Sequence, residues 1–298
     1  MNTARTAQAG ILLPLPPLAR YLSFSLAPSA APGASLRALA AVIDGERAVL
    51  GIGRSLVSAL GAEIAGLRGF PTLAGVGVEP PATPAALWIW LRGDDRGELL
   101  QRARRYEHLL APALRLDDAC DAFQHAGGRD LTGYEDGTEN PVGDAARNAA
   151  LVADDDPALA ASSFVAVQRW RHDFARFERM PRRSQDLAIG RRRTSNEEID
   201  DAPPSAHVKR TAQESFAPPA FILRRSMPWA EGNSGGLVFV AFAASFAPFE
   251  AQLRRMLGLD DGVVDALFAF TRPESGAYFW CPAMRDGQPD LRPLGIAG

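Results

Sequence analysis

The strongest constraint on the fold is a rhythm in the first 125 residues. Residues 21–26, Ala48–Ile52 and residues 86–91 (Ala-Leu-Trp-Ile-Trp-Leu) have the apolar or alternating pattern of strands. Residues 34–43 are apolar on one side and residues 98–110 form a charged amphipathic stretch, so both read as helices, with a shorter turn of helix at 55–60. Residues 114–125 read as a long strand, closed by Gly127-Gly128. The order strand, helix, strand, then strand, helix, strand fits a ferredoxin-like α+β unit.

The second half repeats the theme more loosely. Residues 163–170 read as a strand and 174–189 as mostly helical, interrupted at Pro181. Residues 221–227 and 237–242 read as paired strands, 249–257 and 263–270 as helices, and 277–280 as a last strand. Between them, residues 190–204 form a polar segment, rich first in arginine and then in acids. It is too long for a simple connection, and such loops often carry function. We expect an α+β protein of two ferredoxin-like halves, each an antiparallel sheet with helices packed on it. The boundary lies between about 145 and 160, at the turn-like Asp154-Asp155-Asp156-Pro157, giving halves 1–155 and 156–298. No sequence repeat links the halves. A chain of 298 residues with 47% hydrophobic residues is long enough for both.

Composition excludes several functions. A net charge of -3 does not fit a nucleic-acid binder. The two cysteines, Cys120 and Cys281, form no C-x-x-C pair, which argues against a zinc site, an iron–sulfur cluster or a disulfide scaffold. Lys209 is the only lysine, so a catalytic lysine is excluded elsewhere. Three prolines interrupt the apolar residues 11–18, which do not read as a secretory signal. No uncharged run is long enough to read as a membrane helix. A soluble, cytoplasmic protein without membrane partners is the expectation.

Three places could carry chemistry. The first is Gly133-Tyr134-Glu135-Asp136-Gly137-Thr138-Glu139-Asn140-Pro141. Its two glycines let the backbone bend and approach a flat ligand, with Asp136 projecting from it; taken alone, the stretch also reads as an ordinary turn. The second is His207, which follows Pro203-Pro204 and so has a stiff entry. A neutral imidazole is a good axial ligand for haem iron, although a lone histidine does not establish one. His108, His125 and His172 read as structural. The third is Arg224, which on a strand points opposite to Arg225. It reads equally as a buried ion pair with an aspartate or as a fixed positive charge near a reacting oxygen.

Together these stretches resemble the dye-decolourising (DyP-type) haem peroxidases, most closely the bacterial class B branch. Gly133-Tyr134-Glu135-Asp136-Gly137 matches the family's G-x-x-D-G motif and continues into Thr138-Glu139-Asn140-Pro141. Val167-Gln168-Arg169-Trp170, Ile189-Gly190-Arg191, Asn196-Glu197-Glu198-Ile199, His207, the strand around Arg224, Gly236-Leu237-Val238-Phe239 and Phe270-Thr271-Arg272-Pro273 follow in the family's order. Before residue 133 the likeness rests on the fold pattern and Gly10-Ile11-Leu12.

The resemblance implies b-type haem (iron protoporphyrin IX), held mainly by the C-terminal half. It implies His207 as the proximal iron ligand, with Asp136 and Arg224 on the distal face and Leu237 and Phe239 shaping that pocket. Asp265 fits the carboxylate that hydrogen-bonds the far nitrogen of the proximal histidine; it also reads as an exposed helix residue. Arg191 is a candidate partner for a haem propionate, with Arg192 and Arg193 beside it. The implied activity is reduction of hydrogen peroxide and oxidation of an organic reductant, dye-type or phenolic, through a ferryl intermediate. The same scaffold also admits a haem carrier or a haem iron-release protein.

Glu135 and Ser226 depart from the expected pattern: the first puts a second carboxylate beside Asp136, the second replaces an asparagine carried by some relatives. Bulky reductants would pass electrons through Trp or Tyr side chains, none of which the sequence singles out. Class B relatives form dimers or larger assemblies, which implies a homo-oligomer. The C-terminal Leu294-Gly295-Ile296-Ala297-Gly298 faintly resembles the tails that load such relatives into encapsulin shells, and reads more readily as a short flexible tail.

Overall fold

Apolar alternation sets the strands, and the sheet they form closes on itself. The computed structural model describes residues 5–28, 31–153 and 155–296. Its first half runs β1 (Leu18–Leu26), α1 (Gly33–Ala40), β2 (Ala48–Ile52), α2 (Arg54–Ala59), β3 (Leu87–Gly93), α3 (Arg96–Leu110) and β4 (Leu114–Phe123). After α4 (Gly143–Ala150) come β5 (Ser163–His172), α5 (Phe174–Arg179), α6 (Arg182–Ile189) and α7 (His207–Arg210). The chain continues through β6 (Leu223–Arg224), β7 (Met227–Glu231), β8 (Ser234–Ala243), α8 (Ala247–Met256), β9 (Thr271–Pro273) and β10 (Ala277–Cys281).

All pairings are antiparallel. The first-half strands lie in the order β4-β1-β3-β2, and the second-half strands in the order β7-β8-β5-β10. The two sets meet at two seams. Ile52 of β2 pairs with Trp280 of β10, and Ala122 of β4 pairs with Trp229 of β7. The mixed helix-and-sheet fold is therefore organised around one barrel-like ring of strands. β6 continues the line of β7 along the same edge of β8, with Leu223 opposite Phe242 and Met227 opposite Val238.

Because side chains alternate across a strand, the ring has two apolar faces. Its inner face is one cluster to which both halves contribute, including Tyr21, Trp88, Trp90, Val240, Phe242 and Phe279. Trp88 and Trp90 both contact Phe242, with ring centroids 6.4 and 6.2 Å apart, so the halves share a core. On the outer face of the first half, α1 and α3 bury Leu36, Leu39, Leu99 and Tyr106 against the strands. Asp95 caps α3, its side chain accepting from Glu98 N at 2.7 Å. The outer face of the second half is less completely filled. There β5 and β8 look across a cavity toward α8 and α7.

The structure corrects several sequence expectations. Residues 263–270 do not form an α-helix. Val264 bridges to Leu257, and Asp265 caps a 3-10 turn, Ala266–Ala269, by accepting from Leu267 N. A side chain that competes for backbone N–H groups favours this turn over a continuing helix. The helical stretch 174–189 is broken as expected, with Pro181 as the N-cap of α6. The strand expected over 221–227 is two pieces, Leu223–Arg224 and Met227–Glu231, with residues 221–222 and 225–226 outside both. Leu294 and Ile296 are 2% and 6% exposed and pack into the core, so this part of the C-terminal stretch is anchored rather than free. Asp154 of the expected linker turn, and Ala297 and Gly298, lie outside the described residues. Among the described residues no helix is long and apolar enough to cross a membrane.

Candidate active site

His207 opens α7, just after the Pro203-Pro204 turn, where Ala206 N donates to Pro203 O at 2.9 Å. Its Nδ1 lies 2.8 Å from Oδ2 of Asp265. The Asp265 side chain is fully buried, and its other oxygen accepts from Leu267 N at 2.8 Å. The backbone of this turn is tied on both sides, by Asp265 N to Met256 O and Ala266 N to Ser205 O, each at 2.8 Å. An acceptor-only carboxylate fixes the proton on Nδ1, which leaves Nε2 of His207 with a free lone pair toward the cavity. The capping role that removed Asp265 from a helix is also what orients it. One oxygen holds the turn and the other holds the histidine.

Arg224 and Asp136 occupy the sheet side of the same cavity. Asp136 sits between Gly133 and Gly137, whose φ values of 88° and 76° lie in the left-handed region that glycine tolerates. Nη1 of Arg224 lies 3.8 Å from Oδ1 of Asp136, a loose ion pair longer than a hydrogen bond. Arg225 points away, as alternation requires, and donates to Ile11 O and Leu12 O at 2.9 and 2.7 Å. Burial together with Arg92 lowers the pKa of Arg225 to about 10.

Two amides fasten the aspartate loop to the arginine strand. Asn140 Oδ1 accepts from Arg224 N at 2.8 Å, and its Nδ2 donates to Arg224 O at 3.0 Å. Gln213 donates to Glu139 O at 2.9 Å and accepts from Ile222 N at 2.8 Å. Asn140 belongs to the G-x-x-D-G stretch, but its task is not legible from the sequence. Gln213 carried no sequence signal, because its partners are 74 and 9 residues away.

Glu135 is paired off rather than left beside Asp136. Its two oxygens accept from Arg129 and Asn196, each at 2.8 Å. Ser226 takes the position of the expected amide, and its Oγ accepts from Val240 N at 3.4 Å. Arg191 is brought near the loop but not into the cavity wall. Its guanidinium donates to Glu139 at 2.6 Å, Glu198 at 3.2 Å and Asn196 O at 3.0 Å.

Leu237 and Phe239 line the cavity from β8, and Gln168, Trp170 and His172 from the neighbouring β5. Phe249, Leu253 and Met256 of α8 form the opposite apolar wall of a space of about 920 Å3, part of it open to solvent. His172 is expected from the sequence to be structural. It bridges Asp130 at 2.9 Å and Thr271 at 2.8 Å on the cavity wall. The Asp130 pKa lies below the ordinary carboxylate value. Burial opposes ionisation, and hydrogen bonds from His172 and Thr132 outweigh it.

The family model described as "Dyp-type peroxidase, C-terminal" matches residues 127–286. The chain belongs to the DyP-type peroxidase family. All seven residues assigned to the site from sequence (Asp136, Arg191, His207, Arg224, Leu237, Phe239 and Asp265) fall inside that match.

The Dye-decolorizing peroxidase of Rhodococcus erythropolis is 33% identical over 256 residues, covering 83% of this chain and 75% of that protein. That of Mycobacterium tuberculosis is 31% identical over 224 residues, covering 73% and 67%. Among solved structures, a Dyp-type peroxidase protein from Shewanella oneidensis superposes with a TM-score of 0.89 at 27% identity, covering 99% of both chains. A Rhodococcus jostii DypB variant in complex with heme gives 0.85 at 27% identity, covering 94% of this chain and 97% of that one. These DyP-type relatives identify the chain as a peroxidase.

Proposed function

We propose that this protein is a haem-dependent peroxidase that reduces hydrogen peroxide and oxidises an organic reductant of the dye or phenol type. One observation carries the reading. An imidazole whose proton is fixed on Nδ1 by a buried carboxylate presents its free Nε2 to an apolar cavity, and an Asp136–Arg224 pair stands on the sheet side. The donor set fits haem b. His207 offers one neutral nitrogen, and Leu237, Phe239, Phe249, Leu253 and Met256 offer the apolar walls that a flat macrocycle needs.

When bound, haem supplies the iron that takes up peroxide and stores its oxidising equivalents. His207 would hold its iron through the imidazole nitrogen that faces the cavity. Asp265 would strengthen that nitrogen as a donor by accepting the Nδ1 proton in a charge-assisted hydrogen bond. Asp136 would accept a proton from one peroxide oxygen and return it to the other, which leaves as water. Arg224 offers a fixed positive charge to the negative charge that develops as the O–O bond parts. Arg191 as a propionate partner has a physical cost, because Glu139 and Glu198 already neutralise it and a haem carboxylate would have to displace one of them.

Each half reads as ferredoxin-like, with the division near residue 155. The orders β4-β1-β3-β2 and β10-β5-β8-β7 support this. The class B assignment, the homo-oligomer and a cytoplasmic location belong to the same reading, and the likeness to DypB from Rhodococcus jostii supports the first.

The test is an absorption spectrum of haem-loaded protein before and after one equivalent of peroxide, for wild type and His207→Ala. A Soret band that peroxide converts, and that is lost or grossly altered in the variant, supports the peroxidase and its ligand. A band indifferent to peroxide points to a carrier, and no band in either protein removes haem from the account.

A further inference from the structure

The cavity wall contains two oxidisable rings, Tyr134 and Trp170. Their protons are held differently. The Trp170 indole N–H donates to the neutral amide oxygen of Gln168 at 3.3 Å. The Tyr134 hydroxyl donates to Oδ1 of Asp186 at 2.5 Å, the length of a charge-assisted bond to a carboxylate. We propose that Tyr134, with Asp186 as its proton acceptor, carries electrons from an outside reductant to the cofactor in the cavity. The inference rests on the peroxidase reading above and assigns that reaction a further residue pair.

A phenol that loses an electron becomes a strong acid, so its oxidation is easy only where a base receives the proton at the same moment. Asp186 is such a base. It stands on α6 with its side chain 16% exposed, accepts weakly from Arg193 N at 3.3 Å and faces the exposed Arg182 at 3.4 Å. At rest the phenol keeps its proton, because burial and, after it, the bond to Asp186 both raise its pKa. The ring itself is buried among Phe177, Ala188 and Phe270.

The step balances. Tyr134 gives one electron to the cofactor that peroxide has oxidised, and its proton passes along the hydrogen bond to Asp186. The resulting tyrosyl takes one electron from the reductant at the surface and recovers the proton from Asp186. Two such cycles deliver the two electrons that one peroxide requires. A reductant too bulky for the cavity would then be oxidised without entering it.

The experiment is freeze-quench electron paramagnetic resonance of the haem-loaded protein after one equivalent of peroxide. It is paired with turnover of a bulky reductant in wild type, Tyr134→Phe and Asp186→Asn. Phenylalanine keeps the packing against Phe177, and asparagine keeps an acceptor for the hydroxyl while removing the base. We expect a tyrosyl signal in wild type that is absent in Tyr134→Phe and weakened in Asp186→Asn. Bulky-reductant turnover should fall about tenfold in both variants, while the rate at which peroxide changes the haem spectrum holds. An unchanged radical signal in Tyr134→Phe overturns the relay and leaves the peroxidase reading standing. A haem spectrum that ignores peroxide in wild type overturns both.

Discussion

Asn140 grips the main chain of Arg224 from both sides, accepting from its N–H at 2.8 Å and donating to its carbonyl at 3.0 Å. The residues are 84 positions apart, and this pair of bonds sets the spacing between the Asp136 loop and the Arg224 strand. Asn140→Ala should therefore cost about 1–3 kcal/mol of stability, roughly 0.5–1.5 per lost bond. It should also slow the reaction with peroxide, because misplaced catalytic groups lose rate steeply. Denaturant unfolding and stopped-flow spectra of the same variant measure the two effects. Asn140→Asp, which keeps only the acceptor, should fall between.

Removing the guanidinium tests the chemistry more directly. Arg224→Leu should reduce the second-order rate with peroxide about 100- to 1000-fold, the usual loss when a preorganised charge-stabilising group is removed. Asp136→Asn separates proton transfer from charge stabilisation. Stopped-flow traces that match wild type for Arg224→Leu would assign the work to Asp136 instead.

Asp265 should govern how firmly the cofactor is held. Asp265→Asn retains an acceptor for Leu267 N but withdraws the negative charge from Nδ1 of His207. Haem affinity should drop about 10- to 100-fold, as is typical when the partner of a ligating histidine is altered. The reduction potential of the iron should rise, since a less electron-rich imidazole stabilises the ferric state less. Haem transfer to an apo-globin and a redox titration report these separately.

Acid stability should carry the mark of Asp130. Its folded pKa lies below the ordinary value, so the folded state favours the ionised carboxylate. The resulting stabilisation is complete above the unfolded value of about 4 and is lost as pH falls from there through the folded value. Asp130→Asn should flatten this part of the curve of unfolding free energy against pH, while lowering stability at neutral pH. A curve between pH 5 and 2 that parallels wild type would contradict it.

Much of this was legible in the chain because its signals are local. The alternation in Ala48–Ile52 and in residues 86–91 places strands wherever the rest of the chain goes. G-x-x-D-G states its own backbone demand, met at Gly133 and Gly137. His207, Arg224, Leu237 and Phe239 were all named from ordered motifs, and the fold brings them to one cavity. What could not be read depends on distance along the chain. Gln213, the Tyr134–Asp186 bond and the Asp130–His172–Thr271 chain involve residues brought together only when β5, α6 and the loop before α4 pack. Residues 263–270 misled for a local reason. Their composition is helical, and one capping carboxylate outweighs it. The ion pairs of Arg191 with Glu139 and Glu198 were likewise not legible, since Glu139 lies 52 residues away along the chain.

The ring of strands has a bearing on any attempt to shorten this protein. Trp88 and Trp90 come from the first half and Phe242 from the second, and they share one interior. Cutting near residue 155 would strip the second half of that interior and leave β7 and β10 with open hydrogen-bonding edges. The strands that present Leu237 and Phe239 on one side are the same strands that would lose their backing on the other. A minimal peroxidase carved from the second half would aggregate through those edges before it could bind a cofactor. The first half is more than a backing for the second, because Asp130, Thr132, Tyr134, Glu135 and Asp136 of the cavity wall would leave with it.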